Sequence, residues 1–449
     1  MATLKQQKDL GREVAQHFTQ NPAIEFVGFA GVGRHGGALI LAEKNEQGEL
    51  QRKMVVKYSL GKLTGDPKSN ADEDLRNEFY WLERLRGAEH IVRLVPFADC
   101  TLKLPGISDG EKTYEDSKGK GKERDDALRK QVKGGDDKSG RKVASSRARK
   151  CPTFALEYLP NGQVSDTIEK IKRDKDMIPN RILWRVWLCC RLVYFLISNT
   201  PAFRAYSSQT NLHRAAVVRQ CVAMAYPPCL PFDGVDDGRS IREQIIPDQQ
   251  CWTLTQNSPH LENWLWGSEP SPGAPDTDHD PGIPLVKLID FGRGKLEDLK
   301  DYVNHDMDDL QQCGSRVNLY HAALVMMEIC RPFYDFSDFE PDDIYMYTFV
   351  KDGQTRDILT FAPFQLRKAV SMDPQLRDIL VRCMSEVYGD VPPLNEVLEE
   401  AEAAVASKGP DSDPELADLM RVREHDNYLR GWIQRYIYDA PWEEVFAIT

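Results

Sequence analysis

The chain has 449 residues, 41% of them hydrophobic, so it can bury one large core or roughly two to three smaller ones. The formal net charge of −12 argues against a protein built mainly to bind nucleic acid. The polar N-terminus lacks the apolar core of a signal peptide, and no apolar run reaches the length of about 18 residues that a membrane helix needs. The ten scattered cysteines give no indication of zinc or disulfides. We therefore expect a cytoplasmic location, with a nuclear one as the alternative, and neither nucleic-acid nor membrane partners.

The first predicted elements are a helix over about residues 3 to 18 and a glycine-rich segment between two apolar stretches. Because glycine has no side chain, such a backbone can approach phosphates closely and present its N–H groups to them. An apolar strand follows the glycines, which disfavours a dinucleotide fold, since that fold needs a helix there. An ordinary glycine-rich hairpin remains an alternative. The spacing matches G-x-G-x-x-G-x-V, with alanine for valine, at Gly31, Gly33, Gly36 and Ala38.

The next candidate residue is Lys57, which ends an apolar strand. A lysine there is costly to bury unless it has a charged partner. The following helix, predicted over residues 71–86, has apolar side chains at helical spacing, and Glu78 lies beside that apolar side. This helix therefore offers Glu78 as a candidate partner for Lys57, with Glu73 and Glu83 as alternatives on the solvated face.

Two segments interrupt the pattern of strands and helices. Residues 101–150 carry many charges and few apolar side chains, which favours a disordered or regulatory insertion. Residues 199–251 contain a proline cluster and an acidic stretch, and they are predicted to be a second insertion. Between them, an apolar strand runs into the sequence Glu-Tyr-Leu-Pro-Asn-Gly, in which the first residue is Glu157 and the third is Leu159. A central apolar helix is predicted over residues 182–197.

Polar side chains flank two short apolar runs later in the chain. Asn263 comes directly before residues 264–266, and Asp290 comes directly after residues 286–289. A carboxylate at the end of an apolar strand can be aimed into a cleft, and Gly292 allows the backbone to turn away sharply. Hard cations take oxygen ligands, so an Asn and an Asp at adjoining strand ends could hold one Mg²⁺.

Taken in order, these features resemble the glycine loop, strand lysine, helix glutamate, hinge, catalytic loop and Asp-Phe-Gly motif of protein kinases, in a divergent form of fungal type. The resemblance covers more than half of the chain. It implies an α+β fold with two lobes, a small β-rich N-lobe and a larger helical C-lobe. The expected organisation is a helical extension at 1–20, an N-lobe at 21–159 with the insertion 101–150, a C-lobe at 160–408 with the insertion 199–251, and a helical tail at 409–449.

The resemblance also implies ATP and Mg²⁺ as cofactors. The glycines would cover the phosphates, Lys57 would hold them with Glu78 as its partner, and the hinge backbone would contact the adenine. Asn263 and Asp290 would be the metal ligands. The nucleotide-binding residues implied in this way are Gly31, Gly33, Gly36, Ala38, Lys57, Glu157 and Leu159.

The catalytic base of the family is missing, because its aspartate position is occupied by Ser258. A serine cannot accept a proton at neutral pH, and losing a general base costs about 10²- to 10⁴-fold in rate. The first expectation is therefore a pseudokinase that binds Mg²⁺-ATP and has a regulatory or scaffold role with an unknown protein partner. The first alternative is an active protein kinase with an unknown substrate, whose base is His260, Asp306 or Asp308.

The second alternative is a small-molecule phosphotransferase of the aminoglycoside type, and whether the chain is an enzyme stays open. The short segment between Asp290 and Asn318 contains no Ala-Pro-Glu motif, which mildly favours this alternative. Asn318 begins a predicted helix and stands where the family has an aspartate that buttresses the catalytic loop. Pro392 stands where the family has an arginine that pairs with the missing motif.

Overall fold

The structure is a computed structural model, and it describes fifteen stretches of the chain. They are residues 4–33, 36–61, 71–97, 100–102, 151–188, 217–227, 245, 254–256, 261–267, 284–296, 313–334, 344–351, 353–369, 371–412 and 418–439.

An antiparallel sheet of four strands, in the order β1-β2-β3-β4, forms the first part of the fold. The apolar faces of these strands pack on a helix that precedes them, which is the helix predicted over residues 3 to 18, and a second helix follows β3. The elements are α1 (Leu4–Phe18), β1 (Ile24–Val32), β2 (Gly36–Lys44), β3 (Leu50–Ser59), α2 (Ala71–Arg84) and β4 (Thr153–Glu157).

Glycine lets α1 lie close against the sheet. A Cβ atom added at Gly11 would lie 2.5 Å from the ring of Phe29 and 2.5 Å from the hydroxyl oxygen of Tyr58. The Tyr58 hydroxyl donates a hydrogen bond of 3.2 Å to the backbone oxygen of Gln7. A separate hydrophobic cluster joins α1 to the sheet, so this helix is an integral part of the first region.

Helices dominate the second part of the fold. The longest of them, α6, contacts α3, α5, α7 and α8 in one hydrophobic cluster. These helices are α3 (Val164–Asp174), α4 (Asn180–Leu188), α5 (Val217–Ala225), α6 (Cys313–Tyr334), α7 (Pro374–Cys383) and α8 (Leu394–Ser407). The α+β class predicted from the sequence is confirmed at this level.

Three small two-stranded sheets accompany the helices. Two of them frame the segment around Asp290, and the third is a hairpin that the sequence did not predict. The pairs are β5 (Leu254–Thr255) with β8 (Lys295–Leu296), β6 (Trp264–Trp266) with β7 (Val286–Leu288), and β9 (Tyr345–Lys351) with β10 (Gln354–Thr360).

The C-terminal part packs on the helical region through two short helices, α9 (Asp418–Arg423) and α10 (Asp426–Ile433), and a π-helical turn at Gln434–Tyr438. Glu424 lies between them and is only 3% exposed. Its carboxylate accepts the backbone N–H groups of Asn180 and Arg181 at 2.7 and 3.0 Å. A carboxylate at this position caps the otherwise unsatisfied N-terminus of α4.

One part of the segment 199–251, which the sequence predicts to be an insertion, is described as a helix. Residues 217–225 form α5, and its side chains from Cys221 to Ala225 are almost completely buried against α4, α6 and α8. An apolar helix of this kind belongs to the core, because its burial is what stabilises it. Apart from residues 226, 227 and 245, the rest of this segment lies outside the described residues. Residues 103–150 of the first predicted insertion also lie outside them.

The helix predicted over residues 182–197 is described only as far as Leu188. It begins two residues earlier than expected, at Asn180, whose N–H group Glu424 caps. Among the described helices, none has the length and apolar character needed to cross a membrane.

Candidate functional site

The glycine-rich segment forms the hairpin between β1 and β2. Gly31 pairs with Ala38, and the N–H group of Gly33 donates to the oxygen of Gly36 at 2.8 Å. A Cβ atom at Gly36 would lie 2.6 Å from the oxygen of Tyr58, so glycine is required there by packing. At Gly31, no atom of the described residues lies within 4 Å of an added Cβ atom. Backbone near Gly31 is therefore open to close approach by another group.

Lys57 and Glu78 form the predicted pair. The register of the sheet places Lys57 between Ala38 of β2 and Phe154 of β4. Its Nζ lies 2.6 Å from Oε1 of Glu78, and the two side chains are 18% and 4% exposed. The two alternative partners of Lys57 are less buried than Glu78, because Glu73 is exposed and Glu83 is half-buried.

The electrostatics of this pair extend to Asp290. Burial alone would lower the pKa of Lys57, but the carboxylates of Glu78 and Asp290 outweigh burial and raise this pKa. Burial and the charge of Asp290 act together to raise the pKa of Glu78, while the ammonium of Lys57 opposes them. Lys57 is therefore held in its charged form by two carboxylates that come from different parts of the chain.

Asn263 and Asp290 lie at adjoining ends of β6 and β7. Trp264 pairs with Leu288 across these strands, and the N–H group of Ile289 donates to the backbone oxygen of Asn263 at 2.9 Å. This register places Asn263 beside the residue that directly precedes Asp290. The backbones of Asn263 and Asp290 are therefore close to each other, as the sequence predicts.

The backbone of Asp290 is strained. Its φ angle is 63°, in the left-handed region that residues other than glycine rarely adopt. The N–H group of Gly292 donates to Oδ1 of Asp290 at 3.2 Å, which helps to fix the carboxylate. Such strain costs about 1–3 kcal/mol and is found most often at functional sites. The left-handed backbone and the bond from Gly292 together fix the position of Asp290.

The side chains of Asn263 and Asp290 carry oxygen atoms of the kind that Mg²⁺ takes as ligands. Among the described residues, no group of three or more His, Cys, Asp or Glu side chains could hold a metal ion. Mg²⁺ is commonly held by one or two protein oxygens together with phosphate oxygens and waters. Asn263 and Asp290 would supply such oxygens, and a bound metal would neutralise negative charge on the phosphates.

The position of the missing base, Ser258, lies outside the described residues, and so do the alternative bases His260, Asp306 and Asp308. Gln256, two positions before Ser258, is described. Gln256 donates its backbone N–H to Oδ1 of Asn318 at 3.2 Å and its side-chain Nε2 to the backbone oxygen of Asp290 at 3.0 Å.

Asn318 completes this connection from α6. Its Nδ2 donates to the backbone oxygen of Leu254 at 2.8 Å, while its Oδ1 accepts from Gln256. Asn318 therefore bonds the backbone on both sides of Thr255. Through Gln256, α6 is linked to the backbone of Asp290.

The side chains of Glu157 and Leu159, the two residues of the predicted hinge, are both engaged in contacts within the protein. The carboxylate of Glu157 accepts from Nζ of Lys287 at 2.6 Å and from the N–H group of Arg93 at 2.8 Å. Its own N–H group donates to the oxygen of Arg93 at 3.0 Å. A contact of Glu157 with adenine would therefore use its carbonyl oxygen. The side chain of Leu159 is buried in the main hydrophobic cluster, so its expected contribution also comes from the backbone.

A cavity of about 110 Å³ lies beside Glu157, between the end of α2 and Lys287. Its volume is below the roughly 300–1,000 Å³ of typical small-molecule sites. We do not assign it to the nucleotide, because the predicted phosphate and metal residues do not line it.

Two more residues on α2 contact the segment that follows Asp290. Asn77 and Trp81 donate side-chain hydrogen bonds to backbone oxygens between Phe291 and Gly294. Sequence reasoning assigned them no role. The only available indication was that they lie one residue before and three residues after Glu78 on the same helix.

No known protein family profile matches the chain, and no curated protein matches it in sequence. The kinase resemblance therefore rests on the residues described above.

Proposed function

We propose that the chain is a protein-kinase-like domain that binds Mg²⁺-ATP and whose phosphate-transfer activity is impaired or lost. Its role is then regulatory, or that of a scaffold for a protein partner. The observation that carries this proposal is the convergence of Lys57, Glu78 and Asp290, which come from β3, from α2 and from the segment after β7.

The arrangement of the fold supports a two-lobed architecture. The sheet β1–β4 with α1 and α2 would be the small lobe, and the helical region from α3 onward would be the large one. Helix α1 and strands β1–β3 share one hydrophobic cluster, whereas α2 and most of β4 pack in the cluster of the helical region, which is how the two regions would be joined. The nucleotide would lie between them, with the β1–β2 hairpin over its phosphates and the backbone of Glu157 and Leu159 beside its base.

The chemistry that these residues supply is binding and charge neutralisation. Lys57, held charged by two carboxylates, would pair with phosphate oxygens, and Asn263 and Asp290 would carry Mg²⁺. Phosphate transfer further needs a group that accepts the proton of the substrate hydroxyl. Because Ser258 cannot accept it at neutral pH, transfer would be slower by about 10²- to 10⁴-fold than in a chain with a base there.

Thermal unfolding tests the nucleotide site directly. Wild type and Asp290→Asn are unfolded with Mg²⁺-ATP, with ATP plus EDTA, and without ligand. At about 100 times the dissociation constant, a ligand stabilises the folded state by about 2.7 kcal/mol. We expect this shift for wild type with Mg²⁺-ATP and its loss in Asp290→Asn. No shift for wild type at millimolar ligand would contradict the proposal.

A transfer assay then separates the proposed function from its alternatives. We expect no measurable phosphate transfer by wild type to a generic protein substrate, and a gain in Ser258→Asp. Robust transfer by wild type to protein would instead support an active kinase with another base. Transfer to small cationic amines, but not to protein, would support the small-molecule phosphotransferase.

A further inference from the structure

One side of α2 presents two hydrogen-bond donors to the segment that follows Asp290. Asn77 and Trp81 are four residues apart, so their side chains lie one above the other on the same side of the helix. Both point at backbone oxygens that are more than 200 positions away in sequence. Contacts of this range are made only when the fold brings the two segments together.

The amide of Asn77 is oriented by its surroundings. Its Nδ2 lies 2.9 Å from the oxygen of Gly292, 2.8 Å from that of Gly294 and 3.4 Å from that of Phe291. Carbonyl oxygens accept but never donate, so only the NH₂ end of the amide can face them. The two amide hydrogens can satisfy the two shorter contacts fully.

Trp81 completes the attachment at Gly294. Its Nε1 donates to the oxygen of Gly294 at 2.8 Å, so this carbonyl receives one donor from Asn77 and one from Trp81. A Cβ atom at Gly294 would lie 2.9 Å from Cδ1 of Trp81. The indole can therefore approach this carbonyl only because residue 294 is glycine.

The same helix also carries Glu78, the partner of Lys57. One rigid element thus holds the phosphate-binding lysine through Glu78 and the segment of Asp290 through Asn77 and Trp81. We infer that Asn77 and Trp81 are positioning residues that lock the segment from Asp290 to Gly294 to α2, so that the metal ligand and the ion pair move as one unit. The assignment of a metal to Asp290 rests on the proposed function.

The lock has a consequence for ligand binding. If α2 and the Asp290 segment move together, Mg²⁺ bound at Asp290 stabilises the Lys57–Glu78 geometry, and loss of the lock removes this benefit. Lys57 itself would still meet the phosphates without metal. The Mg²⁺-dependent part of ATP binding should therefore respond to Asn77, while the Mg²⁺-independent part should not.

Hydrogen exchange of the ligand-free, full-length chain tests the lock without reference to ATP. The variants are Asn77→Leu, which keeps a similar volume without a donor, and Trp81→Phe, which keeps an aromatic ring without the N–H group. Arg76→Gln is the matched control, because Arg76 is exposed on the same helix. We expect about tenfold faster exchange in peptides covering residues 289–296, the size of effect that the loss of one hydrogen bond produces.

The inference is overturned if both variants exchange like wild type in residues 289–296, or if exchange rises equally in β1–β4, since the latter is general destabilisation. Trp81→Phe carries the test alone if Asn77→Leu does not fold. In the second part, thermal shifts are measured with Mg²⁺-ATP and with ATP plus EDTA. We expect the variants to lose the Mg²⁺-dependent shift and to keep the other, and an unchanged Mg²⁺-dependent shift also overturns the inference.

The two parts separate this inference from the proposed function. Faster local exchange together with no nucleotide shift in wild type would mean that the lock exists but the nucleotide site does not. A thermal shift of wild type with nucleotide, together with unchanged hydrogen exchange in the variants, would mean that the nucleotide site exists but the lock does not.

Discussion

Two partly buried charge clusters differ in the balance of positive and negative charges that the described residues give them. In the helical region, Arg382 and Lys351 face Glu396 and Glu400, two positive charges against two negative ones. At the candidate site, Lys57 faces Glu78 and Asp290, one positive charge against two. Burying a net charge is costly, so a surplus carboxylate persists only where something else compensates for it.

The two clusters also differ in the backbone conformation of the residues that carry the charges. Arg382 is bonded to both glutamates and lies 5.6 Å from the ring centre of Phe349, and the backbone around it is regular. Asp290 has a left-handed backbone and a half-buried carboxylate. The first cluster matches its charges among the described residues, whereas the second has one more carboxylate than cations there, and under the proposed function Mg²⁺ would neutralise the surplus. The predictions that follow test this distinction.

The largest effect is expected from breaking the balanced cluster. Arg382→Met leaves Glu396 and Glu400 with Lys351 alone and should lower the free energy of unfolding by about 3–5 kcal/mol. Urea denaturation measures it, with Arg356→Met, at an exposed position, as the control. The Mg²⁺-ATP shift should persist in folded protein. A loss below about 1 kcal/mol would contradict a structural role for this cluster.

A smaller effect on stability, with a large one on binding, is expected at the candidate site. Glu78→Gln removes one of the two carboxylates near Lys57 but leaves Asp290, so the free energy of unfolding should fall by about 2 kcal/mol. The Mg²⁺-ATP thermal shift should disappear, because Lys57 loses the partner that positions it. Glu73→Gln is the matched control on the exposed side of α2 and should change neither quantity. A normal shift in Glu78→Gln would remove the ion pair from the proposed site.

The smallest effect concerns pH. Burial alone would raise the pKa of Glu396, but the hydrogen bonds and charges of Lys351 and Arg382 outweigh burial and lower this pKa. A lowered pKa in the folded state means that ionised Glu396 stabilises the fold above its ordinary value of 4.5, and that this contribution is lost as pH falls through the folded-state pKa. The stability difference between wild type and Glu396→Gln should therefore be constant from pH 7 to about 5 and shrink below pH 4.5. A difference that grows on acidification would contradict the lowered pKa.

Local patterns predicted a strand that ends at Lys57 and a helix with Glu78 beside its apolar side, whereas the choice of Glu78 over Glu73 and Glu83 came from the kinase resemblance. The apolar run before Lys57 fixes a strand, and the helical spacing around Glu78 fixes which side of α2 faces inward. The positions of Asn263 and Asp290 at strand ends were also predictable, since Asn263 directly precedes one apolar run and Asp290 directly follows another. Periodicity and strand ends are properties of short windows of sequence.

Other features depend on contacts that no short window contains. Helix α5 was placed in an insertion because the proline-rich and acidic residues after it dominate the composition of that segment. Gln256, Asn77 and Trp81 are ordinary polar or aromatic residues until the fold brings them to the backbone beyond Asp290. The hairpin β9–β10 was not anticipated either, although its strands alternate buried and exposed residues.

The bond from Glu424 to the start of α4 has a consequence for the order in which the chain is completed on the ribosome. The carboxylate is made 244 residues after the N–H group of Asn180 that it caps. At a synthesis rate of about 5–20 residues per second, this delay is roughly 12–50 s. During that time α4 has its apolar side available but lacks its polar cap. The N-terminus of α4 therefore receives this cap only after the C-terminal segment that carries Glu424 has been synthesised.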